Sequence, residues 1–144
     1  RLNRRIIDSL LRLNIDAKII SMGDLNDNPT DSSINNTLTS SDMENAKSPA
    51  FFNPMESLYN KGDGSLAYRD QWSLFDQILL SKNLINENRN SYTFWKAGVF
   101  HPSFLINKTG NYKGYPFRTH VAGRYIGGYS DHFPVYAFLI KKVD

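Results

Sequence analysis

The sequence contains no cysteine, so neither a disulfide framework nor a thiolate metal site can form. Because exported proteins can also lack cysteine, this absence leaves the redox compartment open. No apolar run approaches the roughly 20 residues of a transmembrane helix, and no signal-peptide pattern is found. The chain begins at Arg1 and enters a helical pattern at once. We therefore expect an internal fragment whose natural start is missing, and the sequence assigns it to no compartment.

A large excess of charge of one sign is also missing. The chain has 17 Lys and Arg against 14 Asp and Glu, a net charge of +3. This mild basicity is compatible with a phosphate-bearing partner, but without a long basic stripe it argues weakly against tight nucleic-acid binding. Hydrophobic residues make up 40% of the sequence and aromatic residues 13%, a globular composition. The 144 residues fit one domain with a moderate core.

The spacing of apolar residues predicts helices and strands along the chain. Ile6, Ile7, Leu10 and Leu11 share one face of a helix predicted over residues 3–14. A short apolar run predicts a buried strand over 17–22. The remaining predicted elements are a helix over 30–39, a surface loop over 39–49, a packed helix over 51–59, a turn over 61–65, and strands over 66–69, 72–81, 91–101 (with an irregularity at Gly98) and 135–140.

Polar side chains are found inside or at the ends of these strands. Asp24 and Asn26 follow the first strand, and residues two apart in an extended segment point to the same side. Asp76 lies inside an apolar strand, while Asp131 and His132 precede the last strand. A locally stabilised Asx turn is the alternative interpretation for Asp24 and Asn26. A hydrogen bond to backbone or Arg is the alternative for Asp76.

Three carboxylates, one amide and one imidazole suit metal-assisted attack on a phosphate ester. Hard cations such as Mg²⁺ prefer carboxylate and water oxygens. An imidazole can exchange a proton near neutral pH, and a carboxylate beside it fixes its tautomer. A neutral amide can donate to the charge that develops on a phosphoryl oxygen.

Three short motifs resemble the last three motifs of the endonuclease/exonuclease/phosphatase family, in the same order. They are residues 23–27 (Gly-Asp-Leu-Asn-Asp), 75–79 (Phe-Asp-Gln-Ile-Leu) and 130–135 (Ser-Asp-His-Phe-Pro-Val). The resemblance implies an α/β (α+β) fold: a deoxyribonuclease-I-like two-sheet sandwich flanked by helices, with mostly antiparallel or mixed sheets. Residues 1–144 would then be a single partial domain, the C-terminal half of the family's domain.

The resemblance also implies roles for individual residues. Asp24 would orient or activate the attacking water, and Asn26 would bind the scissile phosphate. Asp76 would pair with His132, which would act on the nucleophile or the transition state. Asp131 would help to hold Mg²⁺, or Mn²⁺ or Ca²⁺ in its place.

The family's site also needs an Asn and a metal-binding Glu from the first half of the domain, whose motifs are not in this sequence. We therefore expect weak or no activity from the chain alone. We also expect self-association, because half a sandwich leaves a sheet face or a sheet edge uncovered.

Residues 103–129 carry basic and aromatic residues but few regular signals. A long irregular stretch in a small domain is usually functional or mobile. Arg118 and Arg124 are our candidates for phosphate contact. The alternative is that the aromatic side chains pack on the sheet while the charges are simply solvated. No G-x-G-x-x-G motif follows a strand, so no dinucleotide fingerprint is present.

The function that these observations favour is that of a metal-dependent phosphoesterase, with phosphodiester cleavage of a nuclease-like type as the first hypothesis. DNA, RNA, a sugar or inositol phosphate and a phospholipid head group are all open as substrates, since fold does not choose among them. The alternatives are therefore a phosphatase on a small phosphorylated sugar, inositol or lipid head group, or a non-catalytic α/β scaffold domain.

Overall fold

The computed structural model describes residues 2–36, 51–85 and 90–143. The helices in these ranges are α1 (Leu2–Leu13), α2 (Ser32–Asn35) and α3 (Pro54–Tyr59). The strands are β1 (Ile20–Asp24), β2 (Phe51–Phe52), β3 (Leu66–Tyr68), β4 (Gln71–Ser73), β5 (Asp76–Ser81), β6 (Thr93–Val99), β7 (His120–Val121), β8 (Arg124–Tyr125) and β9 (Val135–Ile140). None of the helices in the described ranges is long and apolar enough to cross a membrane.

Strand β5 is the centre of the fold. It pairs with β1 on one side and β2 on the other, in the order β1-β5-β2. Strands β6 and β9 form a second sheet, and β3–β4 and β7–β8 form two hairpins. Every strand pairing in the described part of the chain is antiparallel. The fold is therefore mixed α+β with antiparallel sheets, which confirms the predicted fold class.

Two hydrophobic clusters lie on opposite faces of β5. Leu79 faces α1 and packs with Ile7 and Leu11 of that helix. Ile78 and Leu80, on the other face, belong to a second cluster to which the inner residues of β6 and β9 contribute. Because successive side chains of a strand point to opposite faces, β5 packs against α1 on one face of its sheet and against the β6–β9 sheet on the other.

Helix α1 buries a narrower stripe than its sequence predicts. Ile7 and Leu11, four residues apart, are 2% and 6% exposed, whereas Ile6 and Leu10 are 51% and 44% exposed. Arg4 donates to the Asp8 carboxylate one turn later, at 2.8 Å. The helix therefore buries only its closest row of side chains, against a cluster that includes Phe51 of β2 and Leu79 of β5.

Two predicted helices are shorter in the structure. Helix α2 spans Ser32–Asn35, with Asn36 as its C-cap, whereas residues 37–39 of the predicted helix and the predicted loop over 39–49 lie outside the described residues. Residues 51–52 form β2 instead of the start of a helix, because they pair with the end of β5. Helix α3 then begins at Pro54, with the Asn53 side chain accepting a hydrogen bond from the Met55 N–H at 3.1 Å.

Two predicted strands change their bounds. The first strand begins at Ile20 and continues through Gly23 to Asp24, and is not the buried strand over 17–22 that the apolar run indicates. The strand predicted over 72–81 is divided into β4 and β5, because the chain leaves the β3–β4 hairpin before it enters the central sheet.

The irregularity in β6 is not at Gly98. The register with β9 shifts between Phe94 and Lys96, while Gly98 pairs regularly with Tyr136. A Cβ at Gly98 would lie 2.6 Å from the Tyr136 hydroxyl oxygen, so glycine is needed there for side-chain packing.

Part of the inner sheet face is uncovered. Ile20 and Met22 lie opposite Leu80 and Ile78 in the β1–β5 register, yet they are 43% and 73% exposed. The β6–β9 sheet packs over β5 and does not cover these side chains. Ile20 and Met22 therefore form an uncovered apolar strip on this face.

Candidate active site

His132 and Asp76 are joined by a hydrogen bond although they are 56 residues apart in the sequence. His132 Nδ1 lies 2.6 Å from Asp76 Oδ2, and the two side chains are 24% and 21% exposed. An ionised carboxylate only accepts, so Nδ1 is the donor and Nε2 is left available to a reacting group. This arrangement allows the imidazole to accept or deliver a proton in a fixed orientation.

Ser65 connects the two segments that carry this pair. Its carbonyl accepts a hydrogen bond from the Phe133 N–H at 2.7 Å, and its hydroxyl accepts from the Asp76 N–H at 3.4 Å. Ser65 is fully buried. Sequence analysis missed this residue, since a serine in a Gly- and Asp-rich turn gives no signal of a tertiary role.

Asp24 lies directly opposite Asp76 in the β1–β5 register. Residues directly opposite in antiparallel strands carry their side chains on the same face, with Cβ atoms about 5 Å apart. Like charges in this position are destabilising unless a positive group is near. A positive charge between the strand ends would relieve this repulsion.

Asn26 reaches the same strand end by a turn and not by strand alternation. Its backbone φ is 53°, in the left-handed region, and its N–H donates to Asp24 Oδ1 at 2.9 Å. This Asx turn is the alternative interpretation of the sequence. The structure has both this Asx turn and Asp24 and Asn26 at the same strand end. The Asn26 side chain is exposed.

Hydrogen bonds from β5 and from the segment before it hold the loop of residues 24–28. The Leu25 N–H donates to the Phe75 carbonyl at 2.8 Å, and Asn28 Oδ1 accepts from the Leu74 N–H at 3.0 Å. Gln77 Nε2, inside β5, donates to the Asp27 carbonyl at 2.6 Å.

The Gln77 side chain is fully buried and has a second partner. Its Oε1 accepts from Asn53 Nδ2 at 2.7 Å, so the amide links the loop to the start of α3. Sequence analysis missed Gln77 and Asn53. A glutamine within an apolar run is the signal that could have identified the first of them, because a buried amide needs partners for both of its ends.

Asp131 lies next to His132 and is exposed. The His132 N–H donates to Ser130 Oγ at 3.1 Å, a local turn that fixes the backbone of this segment. The Asp131 carboxylate has no hydrogen bond or ion pair to another described residue. It is therefore accessible to a ligand.

The described side chains do not form a complete metal site. Across residues 2–36, 51–85 and 90–143, no group of three or more His, Asp or Glu side chains is close enough to hold an ion. One Asp76 oxygen is already bonded to His132. The residues on this chain thus supply single carboxylates near one another.

The two candidate phosphate-binding arginines lie in different settings. Arg118 lines a cavity of about 350 Å³ together with Arg69, Asp70 and Tyr115. Arg124 is exposed on β8. Within the described part of the chain, neither guanidinium has a hydrogen bond or ion pair to Asp76 or His132.

Tyr115 fixes the wall of the cavity that Arg118 lines. Its hydroxyl donates to Asp70 Oδ1 at 2.7 Å and accepts from the Asp70 N–H at 2.6 Å. The hydrogen bond to the Asp70 carboxylate raises the pKa of Tyr115 above its usual value. The tyrosine is therefore a neutral donor at physiological pH and holds the turn between β3 and β4.

Comparison with known proteins places the chain in a family. A model of the Endonuclease/Exonuclease/phosphatase family matches residues 1–141, nearly the whole sequence. The chain belongs to this family, whose members are nuclease- or phosphatase-type hydrolases that act on phosphate esters or nucleic acids and generally depend on a divalent metal. No curated protein and no solved structure matches the chain.

Proposed function

We propose that this protein is a metal-dependent phosphoesterase that hydrolyses phosphodiesters in the manner of a nuclease. The observation that carries the proposal is the hydrogen bond from His132 Nδ1 to Asp76 Oδ2, at the strand end where Asp24 lies opposite Asp76. A scaffold domain has no need of two carboxylates on neighbouring strands, since this placement costs stability.

One displacement at phosphorus would involve four residues, namely Asp24, Asn26, Asp76 and His132. Asp24 orients the attacking water and takes up its proton as the new P–O bond forms. His132, held by Asp76, gives a proton from Nε2 to the leaving oxygen as the old P–O bond breaks. The Asn26 amide donates to a non-bridging phosphoryl oxygen, where negative charge grows.

Asp131 is our candidate ligand for the metal, with Mg²⁺ proposed first and Mn²⁺ or Ca²⁺ as alternatives. Magnesium is usually held by one or two carboxylates together with water and substrate phosphate, so one carboxylate from this chain suits it. When bound, such a cation polarises the phosphoryl group. Arg118 and Arg124 are proposed to contact phosphates away from the reacting bond.

We further propose that residues 1–144 form a partial domain, the C-terminal half of the family's domain, with weak or no activity alone. The self-association expected from the sequence has no support in the structure or the comparisons, and it stays a prediction. The uncovered Ile20 and Met22 are its physical basis. A monomer in light scattering at high protein concentration would contradict it.

Hydrolysis assays with matched variants test the proposed function. Two proteins are compared: residues 1–144 alone, and the longer protein encoded by the full reading frame. Each is incubated with bis(p-nitrophenyl) phosphate and supercoiled plasmid, with and without Mg²⁺ or Mn²⁺. We expect metal-dependent diester cleavage from the longer protein and little or none from residues 1–144 alone, so the variants are compared in the longer protein. His132→Ala and Asp76→Asn should each reduce the rate by about 10²–10⁴-fold, because the positioned proton donor is lost.

His120→Ala is the matched control, since His120 is exposed on β7 and its ring contacts Tyr125. It should leave the rate unchanged. Equal rates for the His132→Ala variant and the parent protein would contradict the proposal. A preference for p-nitrophenyl phosphate or an inositol phosphate over the diesters would favour the phosphatase alternative, and no hydrolysis from the full reading frame would favour the scaffold.

A further inference from the structure

A small cavity lies beside the candidate active site, and none of its lining residues belongs to the proposed catalytic set. We call it the aromatic pocket. Its volume is about 210 Å³. Pockets for drug-sized ligands are about 300–1,000 Å³, so this one is suited to a single ring system. The side chains that define it are Trp72, Phe133, Ile106, His101 and Asp63, with three glycines completing the lining.

Two flat aromatic side chains, stacked on each other, form one wall of the aromatic pocket. The rings of Trp72 and Phe133 are nearly parallel, with an interplanar angle of 13° and centroids 6.0 Å apart. Phe133 is 3% exposed and therefore held by the core, whereas Trp72 is 37% exposed and keeps ring surface accessible. A Cβ on Gly64 would lie 2.9 Å from Trp72 Cβ, so the glycine lets the indole pack closely.

The polar groups of the aromatic pocket favour a hydrogen-bond donor over a phosphate as its occupant. Asp63 contributes a carboxylate and His101 an imidazole, and no Lys or Arg is among its described lining residues. A carboxylate repels a phosphate but accepts hydrogen bonds from ring N–H and amino groups. Guanine, adenine and cytosine present such donors, and aromatic side chains stack on the face of any base.

The aromatic pocket is connected to both His132 and Asp76 through its lining residue Phe133. Phe133 directly follows His132, so their Cα atoms are about 3.8 Å apart. The Phe133 N–H bonds to the Ser65 carbonyl, and the Ser65 hydroxyl accepts from the Asp76 N–H. A ring in the pocket can therefore be covalently attached to a phosphate at His132.

We propose that the aromatic pocket binds the heteroaromatic base of a nucleotide whose phosphate lies at His132. This inference rests on the proposed function. It narrows the substrate class to nucleic acids or nucleotides, and it disfavours inositol phosphates and lipid head groups, which lack a planar ring.

Two indole N–H signals make a direct binding test possible. The sequence contains two tryptophans, Trp72 and Trp95, and Trp95 lies on β6 with the Lys96 ammonium over its ring. In a ¹H–¹⁵N spectrum, Trp95→Phe assigns the two signals. Adenosine, guanosine and cytidine, which carry a base without phosphate, should shift the Trp72 signal saturably and leave the Trp95 signal in place. Ribose 5-phosphate and inositol 1-phosphate should shift neither.

Variants of the lining separate binding from folding. Trp72→Leu should weaken nucleoside binding at least about tenfold, because the stacking surface is lost. Should that variant fail to fold, Asp63→Asn and His101→Ala at the polar side should each still weaken binding severalfold. Asp16→Asn, in an exposed turn before β1, is the matched control for Asp63 and should bind as the parent does.

The outcomes distinguish this inference from the proposed function. Nucleoside shifts at Trp72 that persist in His132→Ala support the pocket even if no hydrolysis is found. Diester hydrolysis with no Trp72 shift would overturn the pocket and leave the proposed function standing. An equal or larger shift with ribose 5-phosphate would also overturn it, since the occupant would then be the phosphate.

Discussion

Strands β5 and β1 are hydrogen-bonded neighbours over five residue pairs, but their environments are opposite. Five of the six residues of β5 are buried, from Gln77 to Ser81, whereas β1 has four exposed residues of five. Strand β1 ends at Asp24 and β5 begins at Asp76, so the two aspartates lie at the same end of the sheet. Asp76 on the buried strand has a fixed partner in His132, and Asp24 on the exposed strand bonds only to its own turn.

This difference indicates how the site is built. The buried strand supplies the rigid half, because core packing on both of its faces fixes the position of Asp76. The exposed strand has little packing of its own. The loop that follows it is instead held by the Gln77 side-chain amide of the buried strand and by hydrogen bonds with the segment just before that strand.

The largest expected effect is on the stability of the central strand. Ile78 and Met22 lie directly opposite each other in the register, 5% and 73% exposed. Ile78→Ala should lower the free energy of unfolding by about 2–5 kcal/mol through a cavity in the core. Met22→Ala should change it by less than about 0.5 kcal/mol. Urea denaturation measures both, and equal losses would show that β1 is covered in solution.

Removing the link between the strands should have an intermediate effect. Gln77→Leu leaves the Asp27 carbonyl and the Asn53 amide without their partner, which should cost about 1–3 kcal/mol. The loop should also loosen, so that the Asn26 N–H exchanges faster with solvent. Gln71→Leu on the exposed β4 is the control and should be nearly neutral. If both variants unfold at the same urea concentration, Gln77 does not hold the loop.

The smallest effect on stability, with the opposite sign, is expected at Asp24. Asp24→Asn removes the repulsion between facing carboxylates and keeps the oxygen that accepts from the Asn26 N–H, so stability should rise by about 0.2–1 kcal/mol. Diester hydrolysis should fall at the same time. A thermal melt and a rate assay check the two results, with Asp16→Asn as control. A destabilised variant would mean that Asp24 has an attractive partner in solution.

Much of the framework was predictable from residue patterns. The last strand is correct at both ends over 135–140, and α1 differs from its prediction by one residue at each end. These elements have strong periodicity, and such local signals survive in the folded chain. The order of the polar motifs also pointed to the right family before any geometry was known.

Other features depended on contacts that a pattern does not contain. The apolar run before Asp24 looks buried, but nothing in the described chain packs over Ile20 and Met22. The sequence predicts an irregularity at Gly98, but this glycine makes room for the Tyr136 side chain. The register shift falls at Trp95 instead. Both errors arise because burial and register are set by the neighbouring strand.

The sequence by itself determined which groups are available: three carboxylates, an amide and an imidazole placed next to strand signals. It also determined α1 and β9, whose apolar spacing allows few alternatives. Only the tertiary structure decided that Asp76 meets His132, that Ser65 and Gln77 hold the surrounding segments, and that an aromatic pocket lies beside them. The physical reason is that hydrogen bonds between residues tens of positions apart depend on strand register and side-chain packing, and these are settled only when the whole chain is folded.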